Sequence, residues 1–233
     1  MHGWRSEARV WNNVISELNK NLPEYNFVAL DLPAFGSSPN PSIDWFVEDY
    51  ANIVAEFTTK LKLDNIILVG HSFGGRISIK LLGNPKFADF QSKVTKLILT
   101  GSAGFVNGSA SVKWKQKIAK IVKPIFEIPL LKPLKNTLGN LSGASDYNAR
   151  PDLKNIFVNI VSEDLTQEMK AINKPTLLIW GEKDEATPIE YGNRMNQLIR
   201  DSKLEIIPDA GHFAFLDNPQ QFLETVCKKI KTK

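Results

Sequence analysis

Residues 65–75, Asn-Ile-Ile-Leu-Val-Gly-His-Ser-Phe-Gly-Gly, decide the fold of this chain. The run Asn65–Val69 is short, apolar and bounded by glycine, which is typical of a strand buried on both faces. Residues 70–74 match the pattern Gly-x-Ser-x-Gly, and a helical pattern over Gly74–Leu82 follows at once. A serine between such a strand and helix occupies a tight, strained turn near the positive end of the helix dipole. The stretch therefore predicts a strand–turn–helix unit that presents Ser72 as a candidate nucleophile.

The alternation of strands and helices continues on both sides of this unit. Apolar strands that alternate with helices predict an α/β fold, a mostly parallel sheet flanked by helices. Residues Ser111–Lys170 carry no convincing strand pattern and predict an inserted, all-helical cap. We expect a first part of the core at 1–105, the cap at 106–172 and a second part of the core at 173–233. The other strand patterns are Asn26–Leu30, Val94–Thr100, Thr176–Trp180 and Leu204–Ile207; the other helical patterns are Ser6–Leu22, Asp44–Leu61, Ile189–Ile199 and Pro219–Ile230.

The composition is that of an ordinary globular protein, with 42% apolar and 23% charged residues among 233. It excludes disordered and collagen-like classes, and no apolar run approaches the roughly 18 residues of a membrane span. Cys227 is the single cysteine, which excludes an internal disulfide framework and a cysteine-based zinc site. It fits a reducing compartment, so a cytoplasmic location is predicted, and we expect neither a metal nor an organic cofactor.

The net charge of +4 belongs to the predicted cap. Residues Phe105–Lys170 hold ten basic and six acidic residues, and the rest of the chain is neutral overall. No nucleic-acid-reading motif accompanies this charge, so the expected partner is a small-molecule substrate rather than nucleic acid.

Residues Ser111–Lys135, with seven lysines and one acid, form a basic amphipathic segment. We favour a cap with solvated lysines; contact with an anionic membrane surface or an anionic carrier substrate is the alternative. The oligomeric state is not determined by the sequence.

A serine hydroxyl needs a general base, and the chain has only three histidines. His71 is adjacent to Ser72 and is expected to point away from it across the turn. His2 lies at the beginning of the chain, before Gly3. His212 follows the strand pattern Leu204–Ile207, and the carboxyl ends of strands are where open α/β sheets hold their sites. His212 is therefore the predicted base.

The acid that orients the base is expected on a loop after another strand, between Ser72 and His212 in the chain. Asp184 follows Thr176–Trp180 and meets that condition, while Asp164, inside the helical insertion, is the weaker alternative. The backbone N–H of the residue after the nucleophile, Phe73, is one predicted oxyanion donor. The second donor is expected from the loop at residues 2–4, His-Gly-Trp.

These motifs together resemble the α/β-hydrolase superfamily over essentially the whole chain from His2. The resemblance rests on residues 2–4, 31–37, 70–75, 180–184 and 211–213. It implies that the N–H of Trp4 is the second oxyanion donor and that the insertion covers the active site. Two departures are visible: Arg5 stands where a small residue is usual, and Ala34 where glycine is common.

The resemblance implies a serine hydrolase that cleaves a carboxylic ester or thioester through an acyl-enzyme. Hydrolysis of a C–C bond in a ring-cleavage product, with the same triad, is the alternative enzyme activity. A ligand-binding protein without catalysis is the third interpretation, because the fold alone does not decide function.

The start of the chain is the largest departure from the resemblance. In the family, His-Gly follows a central strand that is preceded by a hairpin, whereas here Met1 stands directly before His2. Without such a strand, its two neighbours keep unpaired backbone groups beside an open apolar slot. We therefore expect that Met1 is an internal methionine and that the natural chain begins upstream.

Overall fold

The computed structural model describes residues 1–106 and 151–231, in which four parallel strands form one sheet. The spatial order of the strands is their order in the chain, so consecutive strands are neighbours. All three pairings are parallel, as the α/β pattern predicts. The strands are β1 (Ile66–His71), β2 (Val94–Thr100), β3 (Thr176–Gly181) and β4 (Ser202–Ile207).

Helices connect the strands and cover both faces of the sheet. Short 3₁₀ turns at Ala8–Trp11, Pro85–Phe87 and Pro151–Leu153 precede three of them. The helices are α1 (Asn12–Asn21), α2 (Val47–Lys60), α3 (Phe73–Gly83), α4 (Ala88–Lys93), α5 (Lys154–Ser162), α6 (Thr166–Ala171), α7 (Ile189–Leu198), α8 (Ala214–Asp217) and α9 (Pro219–Lys231).

The sheet separates two hydrophobic cores because successive side chains of a strand point to opposite faces. Leu97 and Leu99 of β2 pack into the core formed with α2 and α3. Ile98, between them, packs into the other core with α1 and α9. This double burial explains why β2 and β3 read as continuous apolar runs.

The segment Asn26–Leu30, predicted as a strand, is not one in the structure. A groove of about 460 Å³, lined mainly by apolar side chains, contains this segment and Ile66–Val69 of β1 in its walls. A strand forms only where a neighbour accepts and donates its ladder hydrogen bonds. Among the described residues no strand pairs with this segment, so the apolar pattern does not become a strand.

Two helix beginnings also differ from the sequence pattern. The helical pattern Asp44–Leu61 begins at Asp44, but α2 begins at Val47, and Asp49 accepts a hydrogen bond from the Phe46 N–H at 2.8 Å. Asp44 instead accepts a hydrogen bond from Asn155 of α5 at 2.8 Å. At the first helical pattern, α1 begins at Asn12, after the Ala8–Trp11 turn.

The described part of the expected cap consists of α5 and α6, both helical as predicted. The basic segment Ser111–Lys135 lies outside the described residues, and the boundaries of the cap stay a prediction. In the two described ranges, no helix has the length and apolarity that crossing a membrane would require.

Candidate active site

Ser72 lies at the junction of β1 and α3, in a strained backbone conformation. Its φ of 51° and ψ of −108° fall outside the common regions for a residue with a side chain. The Ser72 N–H donates to Thr100 O at 3.2 Å, and the Ser72 carbonyl accepts from Ala103 N at 3.3 Å. The turn is therefore held against the end of β2, and the half-buried side chain stands at the carboxyl edge of the sheet.

Gly74 allows the first residues of the chain to pack directly against this turn. A Cβ at position 74 would lie 2.7 Å from Met1 O and 2.8 Å from His2 O, far inside contact distance. The Gly74 N–H donates to His2 O at 3.1 Å. Any side chain here would displace the His-Gly-Trp segment from Ser72, which explains this glycine of the motif.

His212 and Asp184 form a direct hydrogen bond, with 2.9 Å between His212 Nδ1 and Asp184 Oδ2. Asp184 follows β3 and His212 follows β4, so the parallel pairing of these strands brings both to one edge. The Asp184 side chain is fully buried, whereas 9% of the His212 side chain remains accessible. An Nδ1–H that donates to Asp184 leaves the lone pair of a neutral imidazole on Nε2, as a general base requires.

Thr187 completes the surroundings of Asp184 and was missed by the sequence reasoning. Asp184 Oδ1 accepts from the N–H groups of Ala186 and Thr187, each at 2.9 Å. The Thr187 hydroxyl lies 2.9 Å from Asp184 Oδ2 and 3.0 Å from Gly101 O. An aspartate whose carboxylate accepts from backbone N–H groups two and three residues onward forms an Asx-type turn. The sequence of residues 184–187, Asp-Glu-Ala-Thr, could therefore have predicted this turn and the position of Thr187 beside Asp184.

Gly101 joins the acid–base pair to the serine turn. It follows β2 with a φ of 49°, and a Cβ there would lie 3.1 Å from Asp184 Oδ2 and 3.2 Å from His212 Nδ1. The preceding residue, Thr100, accepts the hydrogen bond from Ser72. The structure thus brings Asp184 and His212 into contact and places Ser72 on the adjoining part of the same edge.

Asp164, the alternative acid, has other partners. Its carboxylate accepts from Thr166 N at 2.9 Å and from Val106 N at 3.3 Å, in the connection between α5 and α6. Partial burial tends to raise the pKa of Asp164, but these hydrogen bonds outweigh it and lower the pKa. The carboxylate that contacts His212 is that of Asp184.

The family of the chain follows from a match over nearly its whole length. Residues 1–225 match the model of the Alpha/beta hydrolase family. This protein is an α/β hydrolase.

Three similar proteins illustrate the range of this family. The AB hydrolase superfamily protein YisY of Bacillus subtilis is 27% identical over 95% of this chain and 86% of its own length. The 2-hydroxy-6-oxo-2,4-heptadienoate hydrolase of Pseudomonas putida is 25% identical over 93% of this chain and 81% of its own length. The solved esterase from Exiguobacterium antarcticum is 27% identical, with a TM-score of 0.77 over 100% of this chain and 90% of its own.

The predicted oxyanion donors of the hydrolase, Trp4 and Phe73, belong to the two segments that meet at Ser72. A Cβ at Gly3 would lie 3.3 Å from Ser72 Cβ, so the loop before Trp4 passes directly beside the serine. Within residues 1–106 and 151–231, neither of the two N–H groups donates a hydrogen bond.

An aromatic cluster surrounds Trp4 next to this turn. The ring centroids of Phe35, Phe157 and Phe73 lie 4.9, 5.2 and 5.5 Å from that of Trp4. Phe157 belongs to α5 of the expected cap, while Phe35 and Phe73 belong to the core. Helix α5 and the core therefore meet through apolar aromatic side chains close to the serine.

His2 holds the His-Gly-Trp loop of the hydrolase through both of its ring nitrogens. Its Nε2 accepts from Leu32 N at 3.0 Å, and its Nδ1–H donates to Gly3 O at 2.8 Å. Burial is the main cause that lowers the pKa of His2 to about 4, so the side chain is neutral at pH 7. Across the described ranges, no cluster of three or more His, Cys, Asp or Glu side chains could hold a metal ion.

Proposed function

We propose that this α/β hydrolase cleaves a small-molecule carboxylic ester or thioester through an acyl-enzyme, with Ser72, His212 and Asp184 as its triad. The observation that carries the proposal is the buried 2.9 Å hydrogen bond between His212 and Asp184 at the sheet edge that holds the strained Ser72. A nucleophile on a strained turn, a base and a buried orienting acid are the three parts that acyl transfer requires.

In acylation, Ser72 Oγ attacks the carbonyl carbon of the substrate while His212 Nε2 accepts the hydroxyl proton. The carbonyl π electrons move to the oxygen, and the backbone N–H groups of Trp4 and Phe73 donate to the resulting oxyanion. When the intermediate collapses, the bond to the alcohol or thiol breaks, and His212 transfers its proton to that leaving group. The products of this half-reaction are the free alcohol or thiol and an ester on Ser72.

In deacylation, a water molecule takes the place of the leaving group. His212 accepts one proton of the water while the water oxygen attacks the acyl carbon. Collapse of the second oxyanion breaks the bond between the acyl carbon and Ser72 Oγ, His212 returns the proton to that oxygen, and the carboxylic acid leaves. Asp184 stays in place throughout, since four hydrogen bonds fix its carboxylate and it in turn orients the imidazole.

The aromatic cluster around Trp4 supports a substrate with an apolar acyl or alcohol group. Trp4 and Phe157 are partly and largely buried aromatic side chains beside the serine turn, and they favour hydrocarbon over charged groups. The esterase from Exiguobacterium antarcticum is a similar protein whose name carries this activity.

Hydrolysis of a C–C bond is the second candidate activity. The specific observation in its favour is the similarity to the 2-hydroxy-6-oxo-2,4-heptadienoate hydrolase of Pseudomonas putida. The same serine, histidine and aspartate would serve both reactions, so the triad alone does not separate them.

We also propose a cytoplasmic location and no nucleic-acid partner; contact of the basic segment with a membrane surface remains the weaker alternative.

The experiment compares wild type with Ser72→Ala on a library of p-nitrophenyl esters of increasing acyl length, on thioesters and on a dienoate ring-cleavage product. We expect ester turnover that falls on the order of 10⁶-fold in the variant, because loss of a triad nucleophile removes most of the rate enhancement. Ser92→Ala is the matched control, since Ser92 is an exposed serine of α4 whose hydroxyl donates to Asp89 O in its own helix. It should retain full activity.

Labelling with a fluorophosphonate separates an enzyme from a binding protein. We expect covalent modification of Ser72 in wild type and in Ser92→Ala, and none in Ser72→Ala. Folded wild type that is not labelled would support the non-catalytic alternative. Turnover of the dienoate in the absence of ester turnover would overturn the ester assignment in favour of C–C hydrolysis.

A further inference from the structure

His71, the residue before Ser72, reaches the loop that carries His212. Its ring is buried, and its Nε2 lies 2.9 Å from the backbone carbonyl oxygen of His212. A carbonyl oxygen can only accept a hydrogen bond, so Nε2 carries the hydrogen and donates it. The bond joins residues 141 positions apart, from the end of β1 to the loop after β4.

The His71 ring also forms a surface on which that loop packs. Its centroid lies 4.7 Å from the His212 ring, 4.9 Å from the Phe213 ring and 5.1 Å from the Phe215 ring. Aromatic pairs at these separations stabilise their mutual arrangement beyond the simple burial of area. Three contacts and one hydrogen bond thus connect a single side chain of β1 to the His212 loop.

The backbone of His71 is itself held in the sheet. Its N–H donates to Met1 O at 3.1 Å, and the next N–H, that of Ser72, donates to Thr100 O at 3.2 Å. The side chain contacts the His212 loop, and a Cβ at Gly3 would lie 3.0 Å from its Nδ1, so the ring also packs beside the His-Gly-Trp segment. Because these hydrogen bonds hold the His71 backbone, its imidazole is suited to fixing the position of the His212 loop relative to Ser72.

The charge state of His71 agrees with such a role. Burial, and secondly the nearby His212, hold the pKa of His71 well below its usual range. A neutral ring donates to the carbonyl without placing a second positive charge beside the imidazolium that forms on His212 during acylation.

We propose that His71 is a positioning residue that sets the place of the His212 imidazole relative to Ser72, an inference that rests on the proposed function of that pair. It acts through the His212 backbone rather than through substrate. The proton moves between Ser72 and the His212 imidazole. Ser72 follows His71 directly in the chain, and the His71 side chain supports the His212 loop, so His71 affects the position of both groups.

The experiment compares His71→Leu with His71→Gln. Leucine fills a similar volume without a donor, whereas the Nε2 of glutamine is the same number of bonds from Cα as the Nε2 of histidine and also donates. We expect kcat for an ester to fall on the order of 10²-fold in the leucine variant, as a displacement of about 1 Å in a catalytic group does. KM should change by less than about threefold, and glutamine, which keeps the donor, should restore kcat to within about fivefold of wild type.

Two readouts need no ester substrate and keep this proposal distinct from the ester assignment. The rate of fluorophosphonate labelling of Ser72 should follow kcat. The deshielded proton NMR signal of the His212 Nδ1–H, assigned by its loss in His212→Gln, should shift or broaden in the leucine variant and persist in the glutamine variant. If wild type cleaves no ester, the proposed function fails while the NMR signal still tests the position of His212.

Two outcomes would overturn the proposal. One is a leucine variant that labels Ser72 as fast as wild type with an unchanged Nδ1–H signal. The other is equal loss of rate and of melting temperature in both variants, as for a side chain that serves only packing. Should the leucine variant not fold, His71→Met, whose flexible side chain adapts to the site, replaces it with the same expectations.

Discussion

Replacement of Thr187 by valine removes one hydroxyl from the surroundings of Asp184 and keeps the branched shape of the side chain. The hydroxyl has a single hydrogen and two acceptors, Asp184 Oδ2 at 2.9 Å and Gly101 O at 3.0 Å. The bond to the carboxylate is the stronger, because charge assistance roughly doubles the strength of a hydrogen bond. Valine therefore removes one of the four hydrogen bonds that hold the Asp184 side chain.

The magnitude follows from the burial and the distances. Thr187 is 1% exposed, so bulk solvent does not replace the missing donor. A hydrogen bond to a charged group contributes about 1.5–3 kcal/mol, and we expect the free energy of unfolding to fall by about 2 kcal/mol. A methyl carbon cannot stay 2.9 Å from Oδ2, since carbon contacts need about 3.5 Å. Asp184 and the bound His212 must therefore shift, and the labelling rate of Ser72 should fall about tenfold.

The assay combines urea unfolding with the rate of fluorophosphonate labelling, and Thr187→Ser is the matched control. Serine keeps the hydroxyl and loses one buried methyl group, so its unfolding free energy should fall by about 1 kcal/mol. Its labelling rate should stay within about twofold of wild type, because the hydrogen bond to Asp184 is kept. Valine that labels as fast as wild type, or serine that slows as much as valine, would refute the role of the hydroxyl.

Two further predictions concern stability. The pKa of His2 is lowered from 6.5 to about 4 by burial, so its contribution to stability is present above pH 6.5 and is lost as the pH falls toward 4. Between pH 7.5 and pH 4.5, wild type should lose about 2–3 kcal/mol more unfolding free energy than His2→Gln, whose amide oxygen can accept from Leu32 N without titrating; equal losses in urea titrations would contradict this. Lys80 of α3 is 5% exposed and pairs with Glu163 and Glu168, and Lys80→Met should lower the free energy of unfolding by about 2 kcal/mol, since it leaves two part-buried carboxylates without their cation. Lys20→Met, which breaks an exposed ion pair on α1, is its control and should change the unfolding free energy by less than about 1 kcal/mol; a similar effect of both variants would argue against the buried cluster.

The turn that holds Ser72 is the part of the candidate site that the sequence determined most completely. The apolar run before Gly70, the glycines around Ser72 and the helical pattern after it are all local, and β1, the strained serine and α3 lie where they predict. The family match confirms the α/β fold and the superfamily. His212 followed by elimination among three histidines, and the roles of the triad residues stay predictions.

Elements that depend on a distant partner were predicted less well. The apolar pattern of Asn26–Leu30 is that of a strand, but a strand exists only through hydrogen bonds to a neighbour, and the described chain pairs none with it. Helix α2 begins at Val47 rather than at Asp44, whose carboxylate accepts a hydrogen bond from Asn155, 111 residues away, and does not cap its own helix. In both cases the local pattern was overridden by long-range structure: the lack of a pairing strand among the described residues in the first, and the Asp44–Asn155 contact in the second.

By itself, the sequence determined which residues are candidates for the site, because a Gly-x-Ser-x-Gly turn, a single candidate base and an aspartate after a strand are local facts of type and spacing. Only the tertiary structure decided how these residues are held. The Thr187 hydroxyl donates one of the four hydrogen bonds of Asp184, and His71 supports His212 from 141 residues away. For His71 the sequence predicted only a direction away from Ser72. The physical reason is that the parallel order of four strands brings the ends of β1 and β4 to one edge, and no local periodicity encodes which side chains then meet.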